Sequence, residues 1–200
     1  MVRAVVFDIG GVLEVTPPTG WQDAWCGRLG LTRDEFRDRL HDLPLAGSLG
    51  HVTYDDYVTE VGRRLTLDEA QTTAFMDDIW AEYLGTPNTE LIDYFASLRG
   101  RVRTGILSNS LVGAREREQD LYGFSDRYDV VVYSHEEGLR KPESAFYGLV
   151  CERLQVDPSD VLFVDDLPMC IEGAEAVGMT GVLHRDNATT IAAVDAALGG

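Results

Sequence analysis

The chain has 200 residues, of which 44% are apolar and 26% charged, a composition typical of a folded globular protein rather than a disordered one. Its 34 acidic and 17 basic residues give a net charge of −17, and the pI is near 4.4, which excludes a broad basic surface for nucleic acid. Three widely spaced cysteines and the absence of any apolar run of about 18 residues exclude a disulfide framework and a membrane span. We therefore predict a cytoplasmic protein that binds neither nucleic acid nor membrane.

The first predicted element is a strand within residues 2–13, the segment VRAVVFDIGGVL. Its valine-rich run is typical of a strand that is buried on both faces of a parallel sheet. The run ends at Asp8, and Gly10 and Gly11 follow, which allow a tight turn or a close approach of the backbone to a ligand. We predict that this strand places one carboxylate at the C-terminal edge of the sheet.

Residues 15–86 have a different pattern, because apolar residues recur there at helical spacing and no strand signal is visible. Thr32 with Glu35, and Thr66 with Glu69, have the spacing of capping boxes that begin helices. The pattern predicts a small helical cap domain inserted after the first strand. The candidates to reach the site from this insertion are Trp21, His51 and Tyr54.

From residue 87 onward, strands and helices alternate, which predicts an α/β fold with a doubly wound, mostly parallel, Rossmann-like sheet. The predicted domains are an α/β core of residues 1–14 and 87–200, and a helical cap of residues 15–86. Parallel strands end along one rim, where ligands bind. The polar residues that follow two later strands, and that we expect beside Asp8, are Ser108, Asn109, Asp165 and Asp166.

Four separated motifs, in the correct order, resemble those of the haloacid dehalogenase-like superfamily and cover nearly the whole chain. VVFDIGGVL resembles the first motif, ILSNS the second, GLRKPE the third and FVDD the fourth. The helical insertion between the first two resembles the cap of the subgroup that contains sugar-phosphate phosphatases and β-phosphoglucomutase. The resemblance implies a Mg²⁺-dependent phosphatase acting on a small phosphate monoester, such as a sugar phosphate. We expect a monomer or a homodimer.

The resemblance also implies a role for each motif residue. Asp8 is the expected nucleophile, and Lys141 is the second catalytic residue. The expected phosphate-binding residues are Ser108, Asn109, Lys141, Gly10 and Gly11. The expected metal ligands are Asp8, the backbone carbonyl of Gly10, Asp166 directly, and Asp165 as the second choice, through water. Chemistry agrees, because a carboxylate can carry a phosphoryl group and Mg²⁺ prefers hard oxygen ligands.

Gly10 departs from the motif of most phosphatases in this superfamily, which have a second aspartate two residues after the nucleophile as general acid and base. A positioned acid contributes roughly 10² to 10⁴ in rate, so we expect slow hydrolysis of poor leaving groups. Two alternatives stay open. One is a 2-haloacid dehalogenase, which also lacks the second aspartate but has no use for a metal site. The other is a relative that binds a phosphate ligand or a protein partner without turnover.

Overall fold

The computed structural model describes residues 1–199, so Gly200, the last residue of the predicted core, lies outside the described residues. The strands are β1 (Ala4–Phe7), β2 (Glu14–Val15), β3 (Thr86–Pro87), β4 (Arg103–Ser108), β5 (Val130–Tyr133), β6 (Val161–Asp165) and β7 (Thr180–Leu183). Five of them form a parallel sheet in the order β5-β4-β1-β6-β7, while β2 and β3 form an antiparallel pair. The predicted α/β fold with a mostly parallel sheet is confirmed.

The helices lie on both sides of this sheet and in the segment between β2 and β3. They are α1 (Trp21–Leu29), α2 (Arg33–Leu40), α3 (Leu43–Ser48), α4 (Tyr54–Leu65), α5 (Glu69–Leu84), α6 (Thr89–Ser97), α7 (Ala114–Tyr122), α8 (Phe124–Arg127), α9 (Ser134–Glu137), α10 (Ser144–Leu154), α11 (Pro168–Ala176) and α12 (Asn187–Leu198). Within residues 1–199, no helix combines the length and the apolar character that crossing a bilayer requires.

The sheet is buried because alternate residues of its central strand pack into two different apolar clusters. Val5 and Phe7 of β1 belong to a cluster that includes residues of α6, α8 and α12. Ala4 and Val6 belong to the opposite cluster, with residues of α10 and α11. All four side chains are fully buried, as the valine-rich segment predicts.

The position of β1 brings the predicted site residues together. Phe7 is in register with Ile106 of β4 on one side and with Val164 of β6 on the other. The strand order reverses here, so the carboxyl ends of these three strands border one crevice. Asp8 follows Phe7 directly, and Asp165 follows Val164, so their carboxylates meet in the crevice.

The helices α1 to α5, which we call the helical insertion, share a third apolar cluster. Aromatic rings contribute much of it: Trp25 and Trp21, for example, pack edge-on against Phe75, with ring centroids 5.1 and 5.3 Å from that of Phe75. The β2–β3 pair closes the insertion, with Glu14 opposite Pro87 and Val15 opposite Thr86. The sequence showed no sign of this ribbon, since two residues are too short for a periodic pattern. The assignment of residues 15–86 as a cap domain stays a prediction.

Two local predictions need correction. The capping box of Thr32 and Glu35 is present at the start of α2, but Thr66 is the left-handed C-cap of α4, and α5 begins with a capping box of Asp68 and Gln71. The sequence predicts a helix from Pro142, a residue suited to the first turn, to Leu154, but α10 begins at Ser144. Lys141 therefore lies on a loop rather than next to the first turn of α10.

Candidate active site

Lys141 lies between two aspartates at the carboxyl rim of the sheet. Its Nζ is 2.7 Å from Oδ1 of Asp8 and 2.6 Å from Oδ2 of Asp165. All three side chains are buried. A buried carboxylate without a partner is costly, so the ammonium group stabilises both acids where the sheet brings them together.

Burial and these contacts determine the ionisation of Asp8 and Lys141. Burial raises the pKa of Asp8 to about 7 and Asp165 adds to the rise, while Lys141 acts in the opposite direction. Burial by itself lowers the pKa of Lys141, but Asp8 and Asp165 raise it overall, so the ammonium keeps its charge. Oδ1 of Asp8 also accepts a hydrogen bond from the Ile9 N–H at 2.8 Å. Within residues 1–199, Oδ2 of Asp8 accepts no hydrogen bond and is free to attack an electrophile.

The side chains of Asp8, Asp165 and Asp166 form an acidic cluster, with one oxygen of each within 4.8 Å of the others. Asp165 is engaged through both oxygens, with Lys141 on Oδ2 and the Leu167 N–H on Oδ1 at 2.8 Å. Asp166 is half-buried and forms no ion pair in the described part of the chain. Burial and the neighbouring Asp165 raise its pKa. Mg²⁺ prefers such a set of oxygen ligands. Because the carboxylate of Asp166 is free, it favours the prediction that Asp166 is the direct ligand and Asp165 the second choice.

Asn109 positions the backbone of Lys141. The Lys141 N–H donates to Oδ1 of Asn109 at 2.8 Å, and Nδ2 of Asn109 donates to the Lys141 carbonyl at 3.1 Å. The side-chain amide is therefore occupied, and its predicted role in phosphate binding stays a prediction. Ser108, almost fully buried, lines the crevice next to it. Neither residue caps a helix, because α7 begins only at Ala114.

The two glycines after Asp8 have different surroundings. Gly11 has a φ of +74°, and a Cβ there would lie 2.4 Å from Oδ2 of Asp166, so only glycine allows the backbone to pass this close to the acidic cluster. Gly10 lies outside the left-handed region, and a Cβ there would meet no atom within 4 Å. The chain therefore needs glycine at position 11, whereas position 10 has room for a side chain.

A cavity of about 410 Å³ opens beside Gly10, between the rim of the sheet and the helical insertion. Ser108 and Asn109 line it from the rim, and Trp21 lines it from α1. Of the three candidates in the helical insertion, Trp21 thus reaches the site. Tyr54 instead lies in a cluster with Trp80 and Arg117, and His51 does not line the cavity.

Glu14 is a residue of this cavity that the sequence analysis did not identify. It is 1% exposed, and its Oε1 has no hydrogen-bond partner in the described chain. Burial, together with the nearby carboxylates of Glu118 and Asp8, raises its pKa to about 10. Burial likewise raises the pKa of Glu118 to about 8, although the hydroxyl of Tyr133 donates to it at 2.5 Å and opposes the rise. In the sequence, Glu14 is a single acid after an apolar segment, so nothing there indicates its burial.

Two phosphatases are among the known proteins that this chain resembles in sequence. The chain is 30% identical over 195 residues to Phosphatase MT3486 of Mycobacterium tuberculosis, covering 91% of this chain and 87% of that protein. It is 26% identical over 179 residues to D-ribitol-5-phosphate phosphatase of Bacteroides thetaiotaomicron, covering 83% and 84%. It also matches mouse Acyl-CoA dehydrogenase family member 10 at 25% identity over 205 residues, but spans only 19% of that protein's length.

Among solved structures, a HAD family enzyme of Bacteroides thetaiotaomicron, in complex with magnesium and inorganic phosphate, superposes with a TM-score of 0.79. The match has 18% identity and covers 92% of this chain and 95% of that one, so it shows a shared fold. The family model for haloacid dehalogenase-like hydrolases matches residues 2–178. This chain belongs to the haloacid dehalogenase-like hydrolase family, as its four motifs predicted, and is a hydrolase.

Proposed function

We propose that the protein is a Mg²⁺-dependent phosphatase that hydrolyses a small phosphate monoester through an aspartyl phosphate on Asp8. The observation that carries this proposal is the arrangement around Asp8. Lys141 and the Ile9 N–H hold its Oδ1, while Oδ2 accepts no hydrogen bond from the described residues. A fixed carboxylate with one unoccupied oxygen, next to an ammonium group and two further acids, suits phosphoryl transfer.

The reaction has two displacements. Oδ2 of Asp8 attacks phosphorus, the bond from phosphorus to the alcohol oxygen breaks, and that oxygen takes up a proton from solvent. A water molecule then attacks phosphorus and gives up a proton to solvent, the bond to Asp8 breaks, and inorganic phosphate leaves. We expect Lys141 and Ser108 to hold the phosphoryl oxygens, while Asn109 positions the backbone of Lys141.

The acidic cluster is the place for the metal. Asp8, Asp166 and, through water, Asp165 would hold Mg²⁺, and Gly10 keeps the backbone carbonyl that the family uses as a ligand. When bound, Mg²⁺ supplies positive charge that neutralises phosphoryl oxygens close to three carboxylates. This use of Asp166 favours a phosphatase over the 2-haloacid dehalogenase alternative, whose chemistry needs no metal.

Replacement of the nucleophile tests the proposal. We expect Asp8→Asn to abolish phosphate release from acetyl phosphate and 4-nitrophenyl phosphate, and to abolish the beryllofluoride adduct on residue 8. Asp160→Asn is the matched control, because Asp160 precedes β6 at the opposite end of the sheet. Excess chelator should stop the wild-type reaction and added Mg²⁺ restore it. Full turnover in Asp8→Asn or in chelator, or halide release from 2-haloacids without phosphate release, would contradict the proposal.

A further inference from the structure

A second and larger cavity continues from the crevice into the helical insertion. Its volume is about 690 Å³, within the range of roughly 300 to 1,000 Å³ that accommodates drug-sized ligands. It adjoins the smaller cavity beside Gly10, because four residues line both: Trp21, Ile79, Tyr83 and Asn109. We call the larger part the apolar chamber.

The walls of the apolar chamber are mostly apolar and aromatic. The aromatic side chains that face it from the insertion are Trp21, Phe36, Tyr57, Phe75 and Tyr83. Aliphatic side chains, among them Leu40 of α2 and Ile79 of α5, also line it, together with a few polar ones such as Gln22 and Ser48. A polyol would lose its hydrogen bonds to water against such walls, whereas a hydrocarbon body gains from burial there.

The charged residues of the apolar chamber all have the same sign. Three arginines line it and no acidic residue does, although acids outnumber basic residues two to one in the chain. Arg33 and Arg37 are exposed and paired with Asp23 and Asp34. Arg140 is half-buried, and its guanidinium forms no ion pair or side-chain hydrogen bond with any described residue.

Arg140 lines the part of the apolar chamber that the α/β core provides. It precedes Lys141 in the chain and shares the chamber lining with Asn109, which holds the backbone of Lys141. The chamber therefore combines a guanidinium on its core side with apolar walls on the side of the insertion. A ligand that fits both sides has an anionic head and an apolar tail.

We infer that the substrate of this protein is the phosphate ester of a bulky, predominantly hydrocarbon or aryl alcohol, not of a polyol. The inference rests on the proposed function and specifies its substrate class. The phosphoryl group lies between Asp8, Lys141 and Arg140, and the alcohol part fills the apolar chamber against Leu40 and Ile79. The helical insertion thus selects substrates by apolar area.

The test is a series of 4-n-alkylphenyl phosphates from methyl to octyl, assayed as phosphate release below the concentration at which they form micelles. Their phenol leaving groups have nearly the same pKa, so only apolar length changes. We expect kcat/KM to rise about two- to fourfold per methylene, as burial of each methylene predicts, until the chamber is full. The polar counterpart, 4-(2,3-dihydroxypropyl)phenyl phosphate, should react at least about tenfold more slowly than the 4-propyl compound.

Two variants connect this preference to the apolar chamber. Leu40→Gln and Ile79→Gln place an amide on its wall and should lower the octyl-to-methyl ratio of kcat/KM about tenfold, mainly through KM. Leu29→Gln is the matched control, because Leu29 is a half-buried leucine of the same insertion that does not line the chamber. It should leave the ratio unchanged, and thermal unfolding of all three variants checks that they fold.

The outcomes separate the two proposals. Acetyl phosphate is too small to use the apolar chamber, so its Asp8-dependent hydrolysis reports the proposed function alone. Hydrolysis of acetyl phosphate with equal kcat/KM along the alkyl series, or with faster reaction of the dihydroxypropyl compound, would overturn the substrate inference and leave the phosphatase intact. An equal loss of the ratio in Leu29→Gln would also overturn it. No phosphate release from any compound would overturn the proposed function itself.

Discussion

The protein buries two groups of acids next to one crevice and neutralises them in different ways. Asp8 and Asp165 share the ammonium group of Lys141, at 2.7 and 2.6 Å. Glu14 and Glu118 have no cation between them, and each has one oxygen without a partner in the described chain.

Glu14 and Glu118 lose their charge by protonation instead of sharing a cation. The pKa of Glu14 rises to about 10 and that of Glu118 to about 8, because burial disfavours their charged forms. The pKa of Asp8 is about 7, so at neutral pH its carboxyl group is partly ionised, whereas Glu14 and Glu118 are largely protonated. The comparison shows that burial and a neighbouring cation act together on a carboxyl group, because Lys141 lowers the pKa that burial raises.

Removal of Lys141 should have the largest effect, because it takes away the cation that distinguishes the first group of acids from the second. Lys141→Met keeps the length of the side chain but leaves two buried carboxylates without a cation, and we expect a loss of about 3–5 kcal/mol in the free energy of unfolding at pH 7.5. Urea unfolding in the presence of chelator measures it. The loss should shrink in acid, where Asp8, whose pKa burial already raises to about 7, binds a proton instead.

The control for this prediction is Arg153→Met, which removes the cation of a more exposed ion pair with Glu137. An exposed pair contributes about 0–1 kcal/mol, so this variant should unfold almost like wild type. A loss in Lys141→Met no greater than in Arg153→Met would show that the two acids do not depend on the lysine.

An acid introduced at the open position beside Asp8 should have the next largest effect. Gly10→Asp places a carboxyl group in a space without neighbours and without a strained φ. We expect it to raise kcat/KM for primary alkyl phosphates by roughly tenfold to 10²-fold, and to change that for aryl and acyl phosphates little, because good leaving groups need no proton. A series graded by leaving-group pKa, measured on both proteins, gives the two slopes.

Gly10→Asn is the control, since an amide has the same shape but cannot donate the proton of a carboxylic acid. A gain in this control would mean that the effect is steric. If kcat/KM of the wild type depended as weakly on leaving-group pKa as that of Gly10→Asp, another group would already supply the proton. The same series on Glu14→Gln would then tell whether that group is Glu14.

A change in the pH dependence of stability tests the second group of acids. The folded protein keeps a proton on Glu14 up to about pH 10, whereas the unfolded chain, at the ordinary value of 4.5, has released it. Unfolding between these pH values therefore releases a proton, and stability falls as pH rises. Glu14→Gln has no proton to release, so its free energy of unfolding should fall less steeply between pH 6 and 9, by up to about 1.4 kcal/mol per pH unit.

This difference in slope is measured by urea unfolding at several pH values, again in chelator. Asp195→Asn provides a comparison, because Asp195 is an acid of α12 away from the crevice, bound by the hydroxyl of Tyr94. Parallel curves for wild type and Glu14→Gln would mean that Glu14 is ionised in the folded protein.

The sequence alone determined the succession of strands and helices along the α/β part of the chain and the identity of the acids at the rim of the sheet. Val5, Val6 and Phe7 are apolar in succession, which requires burial on both faces, and Asp8 ends that run. The alternation after residue 87 then implies parallel strands whose ends meet. These are local patterns, so they are readable without the fold, and the four motifs added the family.

Only the tertiary structure decided which partners those residues have. The pairing of Lys141 with Asp8 and Asp165 depends on a loop packed against two strand ends, and no spacing in the sequence encodes it. Glu14 lies in the β2–β3 ribbon and Glu118 in α7, so the burial of the two acids side by side depends on segments that are far apart along the chain. The open space at Gly10 and the apolar chamber arise where the insertion faces the rim. Local sequence controls backbone conformation and apolar faces, whereas burial, ionisation and cavity shape depend on contacts between distant segments.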